Sequence, residues 1–166
     1  MKRIAQFEKV SRERFVDDFD DAFGGKLIAD YDGIKMPRRA TAGSAGYDFF
    51  LTCDVELKPG ETVKIPTGIR AKIDNGWVLK LYPRSGLGFK FRLQLNNTVG
   101  IIDSDYYDSD NEGHIFIKIT NDSNEGKTVA LKKGDGFAQG IFVEYGITID
   151  DDATDVRNGG FGSTGA

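Results

Sequence analysis

The chain has 166 residues, which is the length of one domain with its own core. It carries 22 basic and 26 acidic residues, and the resulting formal charge of −4 argues against a general nucleic-acid binder. Its single cysteine, Cys53, excludes an internal disulfide framework and is typical of a reducing compartment. Because no apolar stretch approaches the length of a membrane span, we expect a cytoplasmic protein without nucleic-acid or membrane partners.

Residues 11–23 predict a helix that precedes the main body of the chain. Ser11 is a suitable N-cap residue and Gly24 a suitable stop. An aromatic stripe runs along one side, at Phe15, Phe19 and Phe23. The other side is acidic, with Asp17, Asp18, Asp20 and Asp21. We expect a surface helix with solvated charges, and docking of a partner or of a metal is the alternative.

Between residues 47 and 143, short β-rich runs alternate with turn signals. The predicted strands cover residues 55–57, 62–65, 69–73, 77–82, 114–120 and 137–143. In the run 114–120, Ile115, Ile117 and Ile119 share one face, as in a strand that is buried on one side. No long helical run separates the strands, which argues against a parallel sheet with crossover helices. We predict an all-β barrel or jelly roll, in one domain that includes residues 1–166.

The glycine-rich segment 157–166 predicts a mobile arm that closes over a ligand, because glycine loses much backbone entropy on ordering. Phe161 offers a stacking face, and Arg157 offers a planar charged fork that suits phosphate. The two together suggest a nucleotide. A floppy terminus or an engineered linker is the alternative interpretation.

Residues 83–88 follow a predicted strand and are expected to form a loop at the sheet edge. The Arg84 guanidinium, the Ser85 hydroxyl and the main-chain N–H groups near Gly86 would make an anion cradle. A simple connection after the strand is the alternative.

Residues 96–107 are the densest candidate site. Asn97 and Gly100 suit a hairpin whose backbone could read a base edge, and the apolar pair 101–102 should hold Asp103 in place. A fixed carboxylate can orient and deprotonate water, although an aspartate in a turn often caps its own backbone instead. Tyr106 could pack flat on a sugar ring.

His114 is the only histidine, so a catalytic triad or a histidine metal site is excluded, and we assign His114 no role. A participating metal would arrive with a triphosphate as Mg²⁺, which binds few protein groups and keeps its waters.

Five motifs occur in one order, at residues 45–48, 83–86, 97–106, 134–139 and 157–165, and together they resemble the trimeric dUTP pyrophosphatases (dUTPases). The resemblance extends from about Met36 to the C-terminus. It implies a distorted β-barrel related to the jelly roll, and a homotrimer whose active sites draw on all three chains. It also implies Mg²⁺-assisted hydrolysis of dUTP to dUMP and pyrophosphate, by attack of water on the α-phosphorus. That activity would limit uracil in DNA and supply dUMP for dTMP synthesis, in the cytoplasm of a cell or of a virus's host.

The resemblance also implies a role for each site residue. Asp103 would activate the water, and Tyr106 would lie under the deoxyribose. Uracil would be read at Asn97 and Gly100, and the phosphates would be held by Arg84, Ser85, Gly86 and Gln139. Asp48 would support the metal through water. The arm would bring Phe161, Gly162 and Ser163 over the base and Arg157 to the γ-phosphate.

The chain departs from the family pattern at three places. Gly136 stands where the fourth motif usually carries an arginine, and we consider Lys132 or Lys133 as a substitute. Residues 108–112 form an acidic insert, which we expect to be a longer surface hairpin. The arm is one residue shorter than usual between Arg157 and Phe161.

Two alternatives remain open. The first is a dCTP deaminase, which shares the fold but needs a glutamate in the strand that here carries Lys118, and which lacks the glycine-rich arm. The second is a regulatory protein that keeps the dUTPase fold for binding partners, with the helix 11–23 and the acidic insert as its surfaces.

Overall fold

The computed structural model of the protein describes residues 1–159. In that part of the chain the strands are β1 (Ala5–Lys9), β2 (Arg38–Arg39), β3 (Tyr47–Phe50), β4 (Val55–Leu57), β5 (Thr62–Pro66), β6 (Ile69–Ile73), β7 (Trp77–Pro83), β8 (Leu93–Leu95), β9 (Gly100–Ile102), β10 (Phe116–Asn121), β11 (Val129–Leu131) and β12 (Gly136–Glu144). The helices are α1 (Arg12–Phe23) and α2 (Ser85–Phe91), with a 3₁₀-helix at Ser104–Asp108.

The strands form several small antiparallel sheets, and the all-β prediction is therefore confirmed. The largest sheet has the order β2-β3-β12-β7-β9, and a second sheet has the order β5-β10-β8. Two further pairs join β1 with β6 and β4 with β11. Each predicted strand is present, with its ends shifted by at most two residues. Within the described residues, no helix has the length and apolar character needed to cross a membrane.

The core lies between the sheets and is supplied by alternate residues of the strands. Ile115, Ile117 and Ile119 are buried as predicted, while Lys118 on the other face of β10 is exposed. Cys53 is also buried, and burial raises the pKa of its thiol to about 11. Cys53 is therefore a small core residue and not a reactive thiol.

Strand β1 is absent from the sequence-based prediction, although its residues alternate between the two faces of a strand. It pairs with β6 from Ala5 opposite Ile73 to Lys9 opposite Ile69. The Phe7 ring lies 5.3 Å from the Tyr47 ring, between centroids, and 5.6 Å from the Phe142 ring. Strand β1 thus extends the body of the protein by packing an aromatic side chain against β3 and β12.

Helix α1 begins and ends where its capping residues predict. The Ser11 hydroxyl accepts a hydrogen bond from the Arg14 main-chain N–H at 3.1 Å, and Gly24 closes the helix with φ of 60°. Phe15 and Phe19 are completely buried. The expectation that all the acidic side chains of α1 lie in solvent is wrong for Asp18, which turns inward to a buried histidine.

That histidine is His114, for which the sequence predicts no role. Its Nε2 accepts a hydrogen bond from the Gly68 N–H at 2.8 Å, so the ring proton is on Nδ1 and is donated to Asp18 Oδ2 at 2.6 Å. The His114 carbonyl oxygen accepts from the Tyr106 hydroxyl at 2.6 Å. His114 therefore joins α1, the start of β6 and the 3₁₀-helix.

The acidic insert 108–112 does not form the expected surface hairpin. The 3₁₀-helix ends at Asp108, and a tight turn follows in which Glu112 has φ of 59°. Glu112 accepts hydrogen bonds from the Ser11 N–H and hydroxyl, both at 2.7 Å. Burial raises the pKa of Glu112, but these bonds together with the charges of Arg70 and Arg14 leave the pKa below its usual value. The insert is thus fixed by the start of α1.

We predict that Asp18→Ala destabilises the protein by about 1–3 kcal/mol at pH 7, because the buried His114 Nδ1–H loses its acceptor. The exposed neighbour Asp17 provides the control, and Asp17→Ala should change the free energy of unfolding by less than about 0.5 kcal/mol. Urea unfolding of the three proteins measures the difference.

The difference in free energy of unfolding between wild type and Asp18→Ala should depend on pH. Burial alone would raise the pKa of Asp18. The hydrogen bond from His114 and the charge of Arg14 lower the pKa by more than burial raises it, so the pKa lies below its usual value. A lowered carboxyl pKa stabilises the fold above about pH 4, and this contribution is lost as pH falls through the folded-state pKa. The wild-type and Asp18→Ala curves should converge in acid. Equal stabilities at pH 7 would contradict the assigned role of Asp18.

Candidate functional site

Strand β12 brings three of the predicted site residues together at the middle strands of the large sheet. It lies between β3 and β7, and its Gln139 stands opposite Asp48 on one side and Tyr82 on the other. Strand β7 ends at Pro83, immediately before Arg84. Residues from the first, second and fourth motifs are therefore neighbours in the fold, although they are far apart in sequence.

Ser85 begins a short helix, where the sequence analysis expected a loop. Arg84 is the N-cap residue of α2, and its carbonyl oxygen accepts from the N–H groups of Leu87 and Gly88. The first N–H groups of a helix have no partner inside it, so those of Ser85 and Gly86 are available to an anion. The expected loop is therefore the first turn of a helix.

A pocket of about 340 Å³ opens beside the start of α2. Its lining residues are Arg84, Ser85, Gly86, Leu87, Leu131, Asp135 and Gly136. The Asp135 carboxylate accepts from the Lys132 main-chain N–H at 2.8 Å and is thereby held at the pocket wall. The pocket combines a guanidinium, a hydroxyl and main-chain N–H groups, which are the donors that a phosphate chain requires.

The Arg84 side chain has two partners at the edge of this pocket. Its Nε lies 3.2 Å from Asp48 Oδ1, and its Nη1 donates to the Gly136 carbonyl oxygen at 3.3 Å. Gln139 Nε2 donates to the carbonyl oxygen of Pro83 at 3.2 Å, just before the cradle.

The two lysines considered as substitutes for an arginine at position 136 do not line the pocket. Lys132 Nζ lies 2.9 Å from Asp54 Oδ2, and Lys133 forms an ion pair with Asp30. The substitute hypothesis is therefore not supported, since both ammonium groups are engaged elsewhere.

Asp103 lies directly after β9, at the start of the 3₁₀-helix. Ile102 is buried, but Ile101 is 47% exposed, so only one member of the expected apolar pair anchors Asp103 in the core. The Asp103 side chain makes no capping hydrogen bond to the 3₁₀-helix that it precedes. The alternative reading of Asp103 as a turn cap is thus excluded, and its carboxylate pairs with a side chain elsewhere in the chain.

Arg157 forms an ion pair with the Asp103 carboxylate in this structure. Its Nη2 lies 2.6 Å from Asp103 Oδ2, its Nε lies 2.9 Å from Asp105 Oδ1, and its guanidinium carbon lies 5.9 Å from the Tyr106 ring centroid. The Arg157 side chain is only 14% exposed. The start of the arm therefore rests on the candidate catalytic residue. The contact predicted between Arg157 and a γ-phosphate stays a prediction.

Tyr106 is buried and forms part of the same cluster as Asp103 and Arg157. Its hydroxyl donates to the His114 carbonyl oxygen and accepts from Asn111 Nδ2 at 2.8 Å. Burial raises the pKa of Tyr106, so the hydroxyl stays protonated and keeps donating. The fixed hydroxyl leaves the ring face as the part of Tyr106 that meets other groups.

Asn97 lies in an exposed turn that is not a hairpin, contrary to expectation. Strand β8 before the turn pairs with β10, whereas β9 after it pairs with β7, so the turn joins two sheets. A side chain at position 100 would place its Cβ 3.0 Å from the Leu81 Cβ, which explains the glycine there. The predicted arm residues Phe161, Gly162 and Ser163 lie outside the described residues.

The cradle and Asp103 of one chain lie at opposite ends of β7. Ile102 pairs with Leu79, which places Asp103 near Val78, while Arg84 follows the other end of the same strand. Six residues of extended chain separate the two positions, or about 20 Å at the rise of a β-strand. The structure therefore groups the predicted residues into two clusters, one at Arg84 and one at Asp103.

Residues 32–165 match the family model described as dUTPase. A deoxyuridine 5'-triphosphate nucleotidohydrolase from Lactococcus lactis subsp. lactis is 44% identical over 137 residues, which cover 81% of this chain and 90% of that protein.

Solved structures of similar shape carry the same description. The crystal structure of dUTPase from Streptococcus mutans has a TM-score of 0.65 and 34% identity, and the match covers 87% of this chain and 98% of that one. A mutant dUTPase from phage phi11 of S. aureus, described with a structural Mg(II) ion, has a TM-score of 0.65 at 22% identity, covering 92% and 98%. At that identity the phage protein shows only that the fold is shared.

We predict that Tyr106→Phe lowers the free energy of unfolding by about 1–3 kcal/mol, because the His114 carbonyl and the Asn111 amide both lose a partner. Tyr145 is half exposed, so Tyr145→Phe serves as the control and should change stability by less than about 0.5 kcal/mol. Chemical denaturation of both variants measures the effect. An unchanged stability of Tyr106→Phe would show that the hydroxyl is not part of the buried network.

Proposed function

This chain belongs to the dUTPase family, and on that premise we propose that its two clusters carry out the hydrolysis of dUTP to dUMP and pyrophosphate. The observation that carries the proposal is the polar pocket at Arg84, Ser85 and Gly86, which offers a cation and main-chain donors to a phosphate chain. The reaction removes dUTP before it can enter DNA and supplies dUMP for dTMP synthesis.

Asp103 is the residue that orients the attacking water and takes its proton. Its position after a buried strand residue fixes the backbone, and its carboxylate, which makes no capping bond, becomes available to water when Arg157 leaves it. The water then attacks the α-phosphorus of dUTP, and the bond to the β,γ-phosphate group breaks to release pyrophosphate.

The cradle holds the triphosphate and the pyrophosphate that leaves. Ser85 and Gly86 donate hydrogen bonds from the start of α2, and Arg84 supplies the positive charge. Gln139 lies opposite Tyr82 in the neighbouring strand and donates to the Pro83 carbonyl oxygen, next to the cradle. These contacts hold the terminal phosphates of dUTP in the pocket.

The residues present fit a magnesium ion that arrives with the substrate. Among residues 1–159 there is no group of three or more histidine, cysteine or acidic side chains able to hold a metal alone. Mg²⁺ needs only one or two carboxylates when phosphates and waters fill its other positions, and Asp48 at the pocket edge can hold it through water. The ion would neutralise phosphate charge. The hydrogen-bond donors of the cradle, Arg84, Ser85 and Gly86, would contact the phosphates in addition to the ion.

The base and sugar are recognised by the second cluster and by the arm. Asn97 and the backbone at Gly100 read uracil, and the Tyr106 ring lies under the deoxyribose. Phe161, with Gly162 and Ser163, covers the base. Arg157 then exchanges its partners Asp103 and Asp105 for the γ-phosphate, which frees Asp103 for water at the moment that substrate is bound.

A complete site needs more than one chain, and we propose a homotrimer. The cradle and Asp103 of one chain lie about 20 Å apart along β7, whereas the reacting water and the leaving phosphates must be neighbours. A cradle from one chain and an Asp103 from another satisfy that requirement. Light scattering of the pure protein should give three times the chain mass of 18.3 kDa, and a fully active monomer would contradict the proposal.

The reaction itself is tested with each deoxynucleoside triphosphate and Mg²⁺, by assays for pyrophosphate and for ammonia. We expect pyrophosphate from dUTP alone. Ammonia from dCTP would indicate the deaminase alternative, which is not favoured because β10 carries the exposed Lys118 where that chemistry needs a glutamate.

We predict that Asp103→Asn lowers kcat by at least about a hundredfold and leaves nucleotide binding largely intact, because the shape is kept while the base is removed. Asp105→Asn is the matched control, since Asp105 shares the contact with Arg157 and should keep kcat within a few-fold of wild type. Steady-state kinetics and binding of a non-hydrolysable dUTP analogue measure the two effects. Near-normal turnover of Asp103→Asn would rule out Asp103 as the base.

We predict that Arg157→Ala lowers kcat/KM by at least about tenfold, because a charge-assisted contact to the triphosphate is lost. The free energy of unfolding should change by no more than about 1 kcal/mol, since the ion pairs of Arg157 involve half-exposed carboxylates. Asn158→Ala is the control next to it. A faster enzyme would show that Arg157 only blocks Asp103 and gives nothing to the substrate.

A further inference from the structure

The Arg84 guanidinium occupies the space that a side chain at position 136 would take, at the edge of the phosphate pocket. A Cβ added at Gly136 would lie 2.8 Å from Arg84 Nη1, 3.3 Å from its Cδ and 3.4 Å from its Cζ. The shortest of these distances is well inside van der Waals contact. Any side chain at position 136 therefore displaces Arg84 from its present place.

The backbone does not explain the glycine at this position. Gly136 is not among the glycines with positive φ, so an alanine could adopt its conformation without strain. The atoms that would clash belong to the far end of a flexible side chain and not to the backbone. The space at Gly136 is thus kept open for Arg84 and not for the fold.

Arg84 uses that space to reach a defined orientation. Its Nε pairs with Asp48 and its Nη1 donates to the Gly136 carbonyl, while among residues 1–159 its Nη2 has no hydrogen-bond partner. The side chain is 44% exposed, on the wall of the pocket. Arg84 is also the only basic residue among those that line the pocket in the described chain.

We infer that Gly136 is a positioning residue for the triphosphate subsite: by lacking a side chain it lets Arg84 lie across its backbone and present Nη2 to the terminal phosphates. Asp48 fixes the same guanidinium from the other side. This inference rests on the proposed function and adds to it the residue that determines the position of the Arg84 positive charge in the pocket. A guanidinium is planar, so its contacts to Asp48 and Gly136 also set the direction of its remaining donors.

If Gly136 positions Arg84, only ligands that carry the terminal phosphates should bind more weakly when Arg84 is displaced. The terminal phosphates are present in dUTP and in pyrophosphate but absent from dUMP. Displacement of Arg84 should therefore weaken binding of the first two and leave binding of dUMP unchanged. The chemistry at Asp103 should proceed at nearly its normal rate once substrate is saturating.

The test is Gly136→Ala, measured for KM, kcat and inhibition by pyrophosphate and by dUMP. We expect KM for dUTP to rise by about tenfold or more, with weaker pyrophosphate inhibition, and kcat and dUMP inhibition within a few-fold of wild type. Gly146→Ala is the matched control, because a Cβ there meets nothing within 4 Å and its φ is also not positive. An unchanged KM in an active Gly136→Ala enzyme would overturn the inference and leave the proposed function standing.

A double-mutant cycle shows whether Gly136 acts through Arg84. In an Arg84→Ala background the competing guanidinium is gone, so Gly136→Ala should have almost no further effect on KM. If Gly136→Ala alone fails to fold and Arg84→Ala restores folding, the competition for space is shown by stability instead. Additive effects of the two substitutions would contradict the inference. A wild-type protein inactive on dUTP would instead refute the proposed function.

Discussion

Strand β7 is the constraint on which the organisation of the site depends. It pairs with β12 on one side and β9 on the other, so its position is fixed by two ladders of hydrogen bonds. One end leads into the cradle and the other lies beside Asp103. Because an extended strand of this length cannot be shortened, one chain holds the cradle at Arg84 and the proposed catalytic carboxylate of Asp103 about 20 Å apart. The proposed reaction at these two clusters therefore calls for assembly with further chains.

The buried contacts of His114 set the second level of organisation. A neutral imidazole that accepts from Gly68 and donates to Asp18 ties α1 to the barrel, and the same residue accepts from Tyr106. Helix α1 thereby becomes part of the support of the second cluster. The acidic insert adds to this support through Glu112, which binds the first residues of α1. Segments that lie outside the family motifs therefore help to hold a motif residue in place.

Much of the fold and of the site could be predicted from the sequence where the signal is local. The alternation of Ile115, Ile117 and Ile119 predicts a half-buried strand, and Ser11 with Gly24 marks both ends of α1. The motif residues Arg84 and Asp103 are recognisable by type and order. In each case, the information lies within a few residues of chain, because periodicity, capping and motif spacing are local properties.

The rest depends on contacts between distant parts of the chain. A lone histidine does not reveal that it will meet Asp18, 96 positions away, and the turn at Asn97 reads as a hairpin until the partners of β8 and β9 are known. From the sequence, Gly136 is recognisable only as the absence of the arginine that the fourth motif usually carries. Only the structure shows that its space is filled by Arg84, from another strand end.

The separation imposed by β7 is tested most directly by mixing two disabled chains. One carries Asp103→Asn, and the other carries Arg84→Ala with Ser85→Ala, so that each lacks one cluster and keeps the other. The two are unfolded together and refolded, and dUTP hydrolysis is measured at low substrate concentration against each chain refolded alone. A site shared between chains predicts that activity returns in the mixture, where an intact cradle can meet an intact Asp103. A mixture no more active than the sum of its parts would contradict the account.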